Sequence, residues 1–119
     1  VVCWGSGSPL REFLYVEDLA DAVVFCLENW NPSSSNAPKD NLGNPLTILN
    51  VGTGIDISIK DLAKKIASII DYQGKIYWDK SKPDGTKRKL LDITRISNLG
   101  WKASINLEEG IKRTIKDLF

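Results

Sequence analysis

Six positions in two short segments carry side chains that suit a phosphorylated, hydroxyl-bearing ligand. Trp4 stands in a glycine-containing loop, where its ring could stack on a base or border a sugar. Arg11 follows soon after, and a guanidinium can bind a phosphate or pyrophosphate through two parallel hydrogen bonds. Asp84 could accept hydrogen bonds from both hydroxyls of a ribose or hexose. The cations Lys87, Arg88 and Lys89 follow it and suit a diphosphate.

Each position also has an ordinary structural alternative. Trp4 could be a core aromatic, and Arg11 could form a surface salt bridge to Glu12 or Glu17. Asp84 precedes a glycine and could serve only to shape a turn. The basic run at 87–89 could be solvated or could contact nucleic acid, although a net charge of +1 argues against a nucleic-acid patch. Taken singly, these residues favour the structural alternatives.

The sequence lacks the usual catalytic and cofactor-binding motifs. It contains 0 His, which removes the commonest general base and the commonest zinc ligand. No Tyr-x-x-x-Lys pair occurs. Gly52-Thr53-Gly54 lacks the third glycine of a dinucleotide-binding loop and favours a plain turn. We therefore predict no catalytic, cofactor-binding or metal-binding residue in this chain.

Composition describes an ordinary globular chain. The 119 residues are 42% hydrophobic and 26% charged, and 2 cysteines are too few for a disulfide framework. Cys26 lies in an apolar helical pattern and is expected to be a buried thiol. No apolar run approaches the roughly 20 residues of a membrane span. These features predict a cytoplasmic protein that binds neither nucleic acid nor membrane. The chain contains 0 Met and opens on Val1, as expected of a piece of a longer protein.

The N-terminal half alternates between loops and regular elements. Residues 4–9 read as a loop and residues 11–16 as a short extended segment. A helix follows from about Glu17 to near Asn29, because apolar residues recur at helical spacing on one face. That face comprises Val16, Leu19, Ala20, Val23, Val24 and Leu27. Residues 31–44 are rich in Ser, Asn and Pro and read as a surface connection or, alternatively, a lid.

The C-terminal half is predicted to hold two strands and three helices. Residues 46–51 and 75–79 are the strands. Ser58 with Asp61 forms a capping box ahead of a helix with buried Ile59, Leu62, Ala63, Ile66, Ala67 and Ile70. Residues 80–89 read as a charged loop. Thr94 is expected to cap a short helix ending near Gly100, and Asn106 with Glu109 to cap the last helix. Trp78 and Trp101 are expected to be core aromatics.

The sequences of several segments resemble those of the extended short-chain dehydrogenases/reductases. R-E-F-L-Y-V-E-D-L-A-D-A at 11–22 and N-V-G-T-G with S-I-K-D-L-A at 50–63 are similar to segments shared by nucleotide-sugar epimerases, dehydratases and reductases. W-G-S-G-S-P-L-R-E-F at 4–13 and S-K-P-D-G-T-K-R-K-L-L-D at 81–92 resemble the narrower GDP-fucose synthase family. Lys87 departs from the proline usual there.

The resemblance implies a function that the residues alone do not. Enzymes of this family bind NADPH on an N-terminal Rossmann domain. They epimerise GDP-4-keto-6-deoxymannose at C3 and C5 and then reduce the C4 ketone to give GDP-fucose. Their catalytic residues lie upstream, and Cys3 matches none of them. The positions that match substrate contacts are Trp4, Arg11, Asp84 and Lys89. The resemblance implies that Arg11 pairs with the diphosphate, Asp84 holds a hydroxyl pair and Trp4 borders the pocket.

We therefore expect residues 1–119 to be a mixed α/β (α+β) fragment, the small C-terminal substrate-binding domain of such an enzyme without its Rossmann domain. Some apolar faces should then be exposed. NADP(H) would be bound by the missing N-terminal domain, with no metal, and the full-length protein would be a homodimer through other regions. Alone, the chain should be inactive. Two alternatives remain: the substrate domain of another nucleotide-sugar epimerase or dehydratase, such as a UDP-hexose 4-epimerase, and a non-enzymatic sugar-nucleotide-binding module.

Overall fold

A computed structural model describes residues 1–118 of the chain. Its elements are β1 (Val2–Trp4), β2 (Leu10–Glu12), α1 (Val16–Asn29), β3 (Asp56–Ser58), α2 (Ile59–Ile69), β4 (Tyr77–Asp79), β5 (Arg88–Lys89), α3 (Thr94–Leu99) and α4 (Leu107–Leu118). They fall into two compact units. The first unit comprises residues 1–13, 55–90 and 107 onward, and the second comprises residues 14–54 and 91–106. None of the helices within residues 1–118 is long and apolar enough to cross a membrane.

The first unit combines two small sheets with α2 and α4. In one sheet β1 lies parallel to β4, with Trp4 opposite Asp79. In the other, the central strand β2 is antiparallel to β3 and parallel to β5. Helix α2 begins where the sequence predicts, because the Ser58 hydroxyl accepts a 3.0 Å hydrogen bond from the Asp61 amide. The predicted N-cap at Ser58 is confirmed, and the Ser58 hydroxyl also donates a 2.6 Å hydrogen bond to the Asp61 carboxylate.

The second unit has a small core around the middle of α1. Ala22, Ile96 and Trp101 are buried, and half-buried apolar side chains pack around them: Leu14, Phe25, Cys26, Val51, Ile93 and Ala103. The Trp101 indole N–H donates a 2.8 Å hydrogen bond to Asp21, which satisfies its one polar atom. The core placement predicted for Trp101 is therefore confirmed. Cys26 is half-buried, and this desolvation raises the pKa of its thiol.

A buried carboxylate connects α1 to the segment that precedes α4. Asp18 is 4% exposed and accepts hydrogen bonds from the Ser104 amide at 3.1 Å, the Ser104 hydroxyl at 2.8 Å and the Ile105 amide at 2.9 Å. A carboxylate can be buried when donors satisfy its lone pairs, and these three do so. Helical periodicity placed Asp18 opposite the apolar face, so the sequence analysis did not identify this core position.

The apolar face predicted for α1 is exposed in the structure. All six of its residues are exposed, with Leu27 at 81% and Val16 at 68%. The opposite face, with Asp18 and Ala22, is the one that packs against the core of the second unit. The sequence analysis expected exposed apolar surface somewhere in the chain, and α1 carries a contiguous stripe of it.

Three further expectations about elements are corrected or refined. Residues 46–51 form no strand, although they are apolar and β-branched. Such residues favour a strand only when a neighbour completes its hydrogen bonds, so propensity alone was insufficient. Thr94 does not cap α3. Instead Asp92 accepts a 2.9 Å hydrogen bond from the Thr94 amide. Trp78, expected in the core, is half-buried on β4.

Candidate functional site

Two loops of the first unit run beside each other. The 5–9 loop joins β1 to β2, and the 80–87 loop joins β4 to β5. Because β1 pairs with β4 and β2 pairs with β5, the two loops begin at neighbouring strands and also end at neighbouring strands. Backbone hydrogen bonds fasten them at each end, from the Gly5 amide to the Asp79 carbonyl and from the Leu10 amide to the Lys87 carbonyl, both at 2.9 Å. Three of the four predicted site residues lie at the edges of these loops or beside them.

Asp84 joins the two loops at their middle. Its Oδ1 accepts a 2.5 Å hydrogen bond from the Ser6 amide, and its Oδ2 accepts a 2.7 Å bond from the Ser6 hydroxyl. These donors favour the ionised carboxylate, so the backbone and side-chain hydrogen bonds of Ser6 lower the pKa of Asp84 below its ordinary value. The Asp84 side chain therefore does more than shape a local turn.

Glycines on both sides of Ser6 permit this close approach. Gly5 has a φ of +78° and Gly7 a φ of +74°, a region that residues with a Cβ rarely adopt. A Cβ on Gly5 would lie 2.3 Å from Asp84 Oδ1, and one on Gly7 would lie 2.6 Å from the Trp78 ring. A larger residue at position 5 would push the two loops apart, and one at position 7 would displace the 5–9 loop from Trp78 of β4 and Lys60 of α2.

Trp4 projects into solvent at the end of β1. Its side chain is 72% exposed, so the core alternative for Trp4 is wrong. The Lys82 ammonium lies 5.6 Å from the centroid of its ring, within the range of a cation–π contact. An exposed aromatic ring that is held in this way offers an open surface on which a planar ligand group can stack.

Arg11 and Lys89 present two cations on one face of the three-stranded sheet. They occupy paired positions of the parallel strands β2 and β5, and side chains at paired positions point to the same face. Neither forms an ion pair with a described carboxylate of the first unit. The Arg11 guanidinium donates a 2.6 Å hydrogen bond to the Leu10 carbonyl and extends beside Gly85 of the 80–87 loop.

Arg88 lies on the opposite face and is already neutralised. Its Nε donates a 2.5 Å hydrogen bond to Asp56 Oδ2, and this ion pair raises the pKa of Arg88. Strand alternation explains the difference, because Arg88 is paired with Leu10 and Lys89 with Arg11. The predicted basic run at 87–89 therefore does not act as one patch.

This arrangement presents side chains that can bind a ligand. Cations at Arg11 and Lys89 suit phosphate oxygens, and Trp4 suits a planar or apolar ring. Residues 1–118 contain no cluster of His, Cys, Asp and Glu that could hold a metal ion. Gly52-Thr53-Gly54 follows no strand and precedes β3, not a helix, so it does not fit the phosphates of a dinucleotide.

The structure brings all four predicted site residues into the first unit. Two contributors escaped the sequence analysis. Ser6 bonds Asp84 across 78 residues of sequence, and Lys82 covers the ring of Trp4. The glycines that flank Ser6 were the available signal, because a Gly-x-Gly segment often marks a close backbone approach. Nothing in the sequence marked Lys82 apart from its neighbouring lysines.

Comparison with known proteins identifies relatives of this chain. The NAD dependent epimerase/dehydratase family matches residues 1–43. "Probable GDP-L-fucose synthase 1" of Oryza sativa subsp. japonica is 46% identical over 98% of the chain, and the GDP-L-fucose synthase of Escherichia coli (strain K12) is 46% identical over 96%. The chain is homologous to the C-terminal part of the GDP-L-fucose synthases. The family resemblance deduced from residues 4–13 and 81–92 is thereby confirmed.

The solved structures agree with this relationship. A GDP-6-OMe-4-keto-L-xylo-heptose reductase from C. jejuni superposes with a TM-score of 0.88 and 36% identity over 99% of the chain. The predicted fold class, the small mixed α/β C-terminal portion of such enzymes, is confirmed. The chain spans 31% of the length of the rice GDP-L-fucose synthase, 34% of the E. coli protein and 33% of the reductase.

Proposed function

We propose that the chain supplies the sugar-nucleotide-binding part of an enzyme of the GDP-L-fucose synthase type. The whole protein would convert GDP-4-keto-6-deoxymannose to GDP-fucose, by epimerisation at C3 and C5 and NADPH-dependent reduction at C4. The observation that carries this proposal is the 46% identity to curated GDP-L-fucose synthases over nearly the whole chain. The fold by itself would not suffice, because related folds serve many nucleotide-sugar reactions.

The site supports this proposal through its charge distribution. Arg11 and Lys89 point to one face and have no described carboxylate of their unit as a partner, so a diphosphate could take that place. Trp4 stands exposed beside the same loops and would border the base or the sugar. Asp84 lies in the 80–87 loop and is hydrogen-bonded to Ser6 of the 5–9 loop. We propose these four residues as the substrate-binding set.

Catalysis and cofactor binding would take place outside residues 1–119. We propose that NADP(H) binds an N-terminal Rossmann domain that also carries the catalytic side chains. The whole protein would be a cytoplasmic homodimer that associates through regions other than this chain. The chain alone should show no NADPH oxidation with GDP-4-keto-6-deoxymannose, and measurable turnover by residues 1–119 would refute this division of labour.

Nucleotide selectivity provides the direct test. Isothermal titration calorimetry on the full-length protein should show binding of GDP at least about tenfold tighter than UDP, a difference of about 1.4 kcal/mol. Tighter binding of UDP would replace this proposal with a UDP-hexose 4-epimerase or another UDP-sugar enzyme. Absence of binding to either nucleotide would favour a module of another kind.

A second candidate is a GDP-sugar C4 reductase with a different sugar. The structural similarity to the GDP-6-OMe-4-keto-L-xylo-heptose reductase favours it, since the TM-score is 0.88. Both candidates bind GDP, so the distinction requires turnover. NADPH oxidation by the full-length protein with GDP-4-keto-6-deoxymannose supports the first candidate, and oxidation only with a GDP-4-keto-heptose supports the second.

A further inference from the structure

Both oxygens of the Asp84 carboxylate are engaged by one residue of the neighbouring loop. Ser6 donates its backbone N–H to Oδ1 at 2.5 Å and its hydroxyl to Oδ2 at 2.7 Å. Hydrogen bonds to an ionised group are about twice as strong as neutral ones, and two of them fix an orientation. The pair therefore holds the middle of the 80–87 loop against the 5–9 loop.

The backbone around Ser6 is shaped for this contact. Gly5 is buried, and its missing Cβ leaves the space that Asp84 Oδ1 occupies. On the far side of the hydroxyl, the Ser8 amide donates a 3.1 Å hydrogen bond to Ser6 Oγ. The Ser6 hydroxyl can therefore give its proton to Asp84 while its own lone pair is satisfied.

The loops that this pair joins carry the proposed ligand contacts. Trp4 directly precedes the 5–9 loop and contacts Lys82 of the 80–87 loop. Arg11 follows the 5–9 loop and extends beside Gly85 of the other. A change in the spacing of the two loops would displace the ring and the guanidinium relative to each other, and displacements near 1 Å are costly for ligand binding and catalysis.

We infer that Ser6 and Asp84 form a clasp that positions Trp4 and Arg11 for the nucleotide. Ser6 is thus a positioning residue that acts through Asp84, and it is the new member of the site. This inference rests on the proposed function for the identity of the nucleotide. The clasp itself rests only on the contacts between the two loops.

Binding by single and double variants of the full-length protein tests the clasp. GDP affinity, measured by calorimetry, should fall on the order of tenfold to a hundredfold in Ser6→Ala and by a similar factor in Asp84→Asn. The double variant should lose less affinity than the sum of the two single losses, because both substitutions remove the same contact. Ser6→Thr keeps the hydroxyl and should restore most of the affinity. Asp40→Asn, which alters an exposed aspartate of the second unit, is the matched control.

The result that overturns the inference is additivity. If the losses of Ser6→Ala and Asp84→Asn add in full in the double variant, Ser6 does not act through Asp84 and the inference is refuted. Amide hydrogen exchange on the ligand-free protein gives a second readout that needs no nucleotide. Exchange at Ser6 and across residues 82–85 should accelerate in both single variants, and unchanged exchange refutes the clasp. If exchange accelerates but the unaltered protein binds no GDP, the clasp stands and the proposed function falls.

Discussion

Two arginines on neighbouring strands give the sharpest test of the proposed binding site. Arg11 and Arg88 differ by one position in sheet register and therefore face opposite sides. Arg88 is paired with Asp56, whereas Arg11 has no described carboxylate partner in its unit. We expect Arg11→Ala to weaken nucleotide binding and leave stability almost unchanged. Arg88→Ala should do the reverse, because it leaves the Asp56 side chain, which is only 13% exposed, without its cation.

The magnitude for Arg11 follows from the bonds that it can make. A hydrogen bond to a charged group contributes about 1.5–3 kcal/mol net, and each 1.4 kcal/mol is a factor of ten in affinity. Loss of the guanidinium should therefore raise the Kd for GDP by roughly 10- to 150-fold. The Kd for guanosine, which has no phosphate, should stay within about twofold.

Calorimetry with GDP and guanosine on the full-length protein measures both ligands, and thermal unfolding measures stability. The matched result is a large change in GDP affinity for Arg11→Ala and a lowered Tm with unchanged affinity for Arg88→Ala. Equal losses of GDP affinity in the two variants would show that sheet register does not assign their roles. An equal loss for GDP and guanosine in Arg11→Ala would show that Arg11 does not bind phosphate.

Three further predictions concern stability and ionisation. Gly7→Ala should lower the free energy of unfolding in urea by about 2–5 kcal/mol, because the new Cβ is strained at a positive φ and also collides with the Trp78 ring. Gly43→Ala is the control and should cost only about 1–2 kcal/mol, because its Cβ would meet nothing within 4 Å. Equal losses in the two variants would show that the Trp78 contact does not matter. Trp101→Ala should lower the free energy of unfolding by about 3–5 kcal/mol, because this ring is buried. Trp4→Ala should change the free energy of unfolding by no more than about 0.5 kcal/mol, because this ring is exposed, but it should weaken GDP binding. A clear loss of stability in Trp4→Ala would show that Trp4 has a structural role. The pKa of Asp84, followed by NMR of its carboxyl carbon, should lie below the ordinary aspartate value of about 3.9 and return toward it in Ser6→Ala. The pKa of Asp84 is lower in the folded protein than in the unfolded chain. The stability that the clasp contributes should therefore be fully present above the unfolded pKa and be lost as the pH falls through the folded pKa. Titration of Asp84 at the ordinary aspartate value would contradict the clasp.

Local signals made some elements predictable. The capping pair Ser58 and Asp61 lies within four consecutive residues, so its hydrogen bond forms as soon as the chain turns into a helix. The end of α1 near Asn29 followed from apolar periodicity in the same way. The site residues were predicted for another reason. Their residue types alone allowed either a structural or a binding role, and the resemblance to a family favoured the binding role.

Other features depend on partners far away in the sequence. Residues 46–51 have the composition of a strand, but a strand needs a neighbour to complete its hydrogen bonds. Apolar periodicity identified one face of α1 without saying what covers it, and in the structure that face is exposed. Asp18 shows the converse, since donors from Ser104 and Ile105 make a carboxylate a core residue.

The sequence by itself determined which kinds of side chain could bind a sugar nucleotide. Its similarity to family sequence motifs then predicted the positions at which these side chains would bind. Trp4, Arg11, Asp84 and Lys89 were all predicted in this way. Only the tertiary structure decided how they are arranged. Pairing of β2 with β5 put Arg11 and Lys89 on one face and Arg88 on the other. The approach of two loops gave Asp84 its partner Ser6 at a separation of 78 residues. Strand register and loop contacts depend on segments that are far apart in the sequence, so no local sequence pattern specifies them.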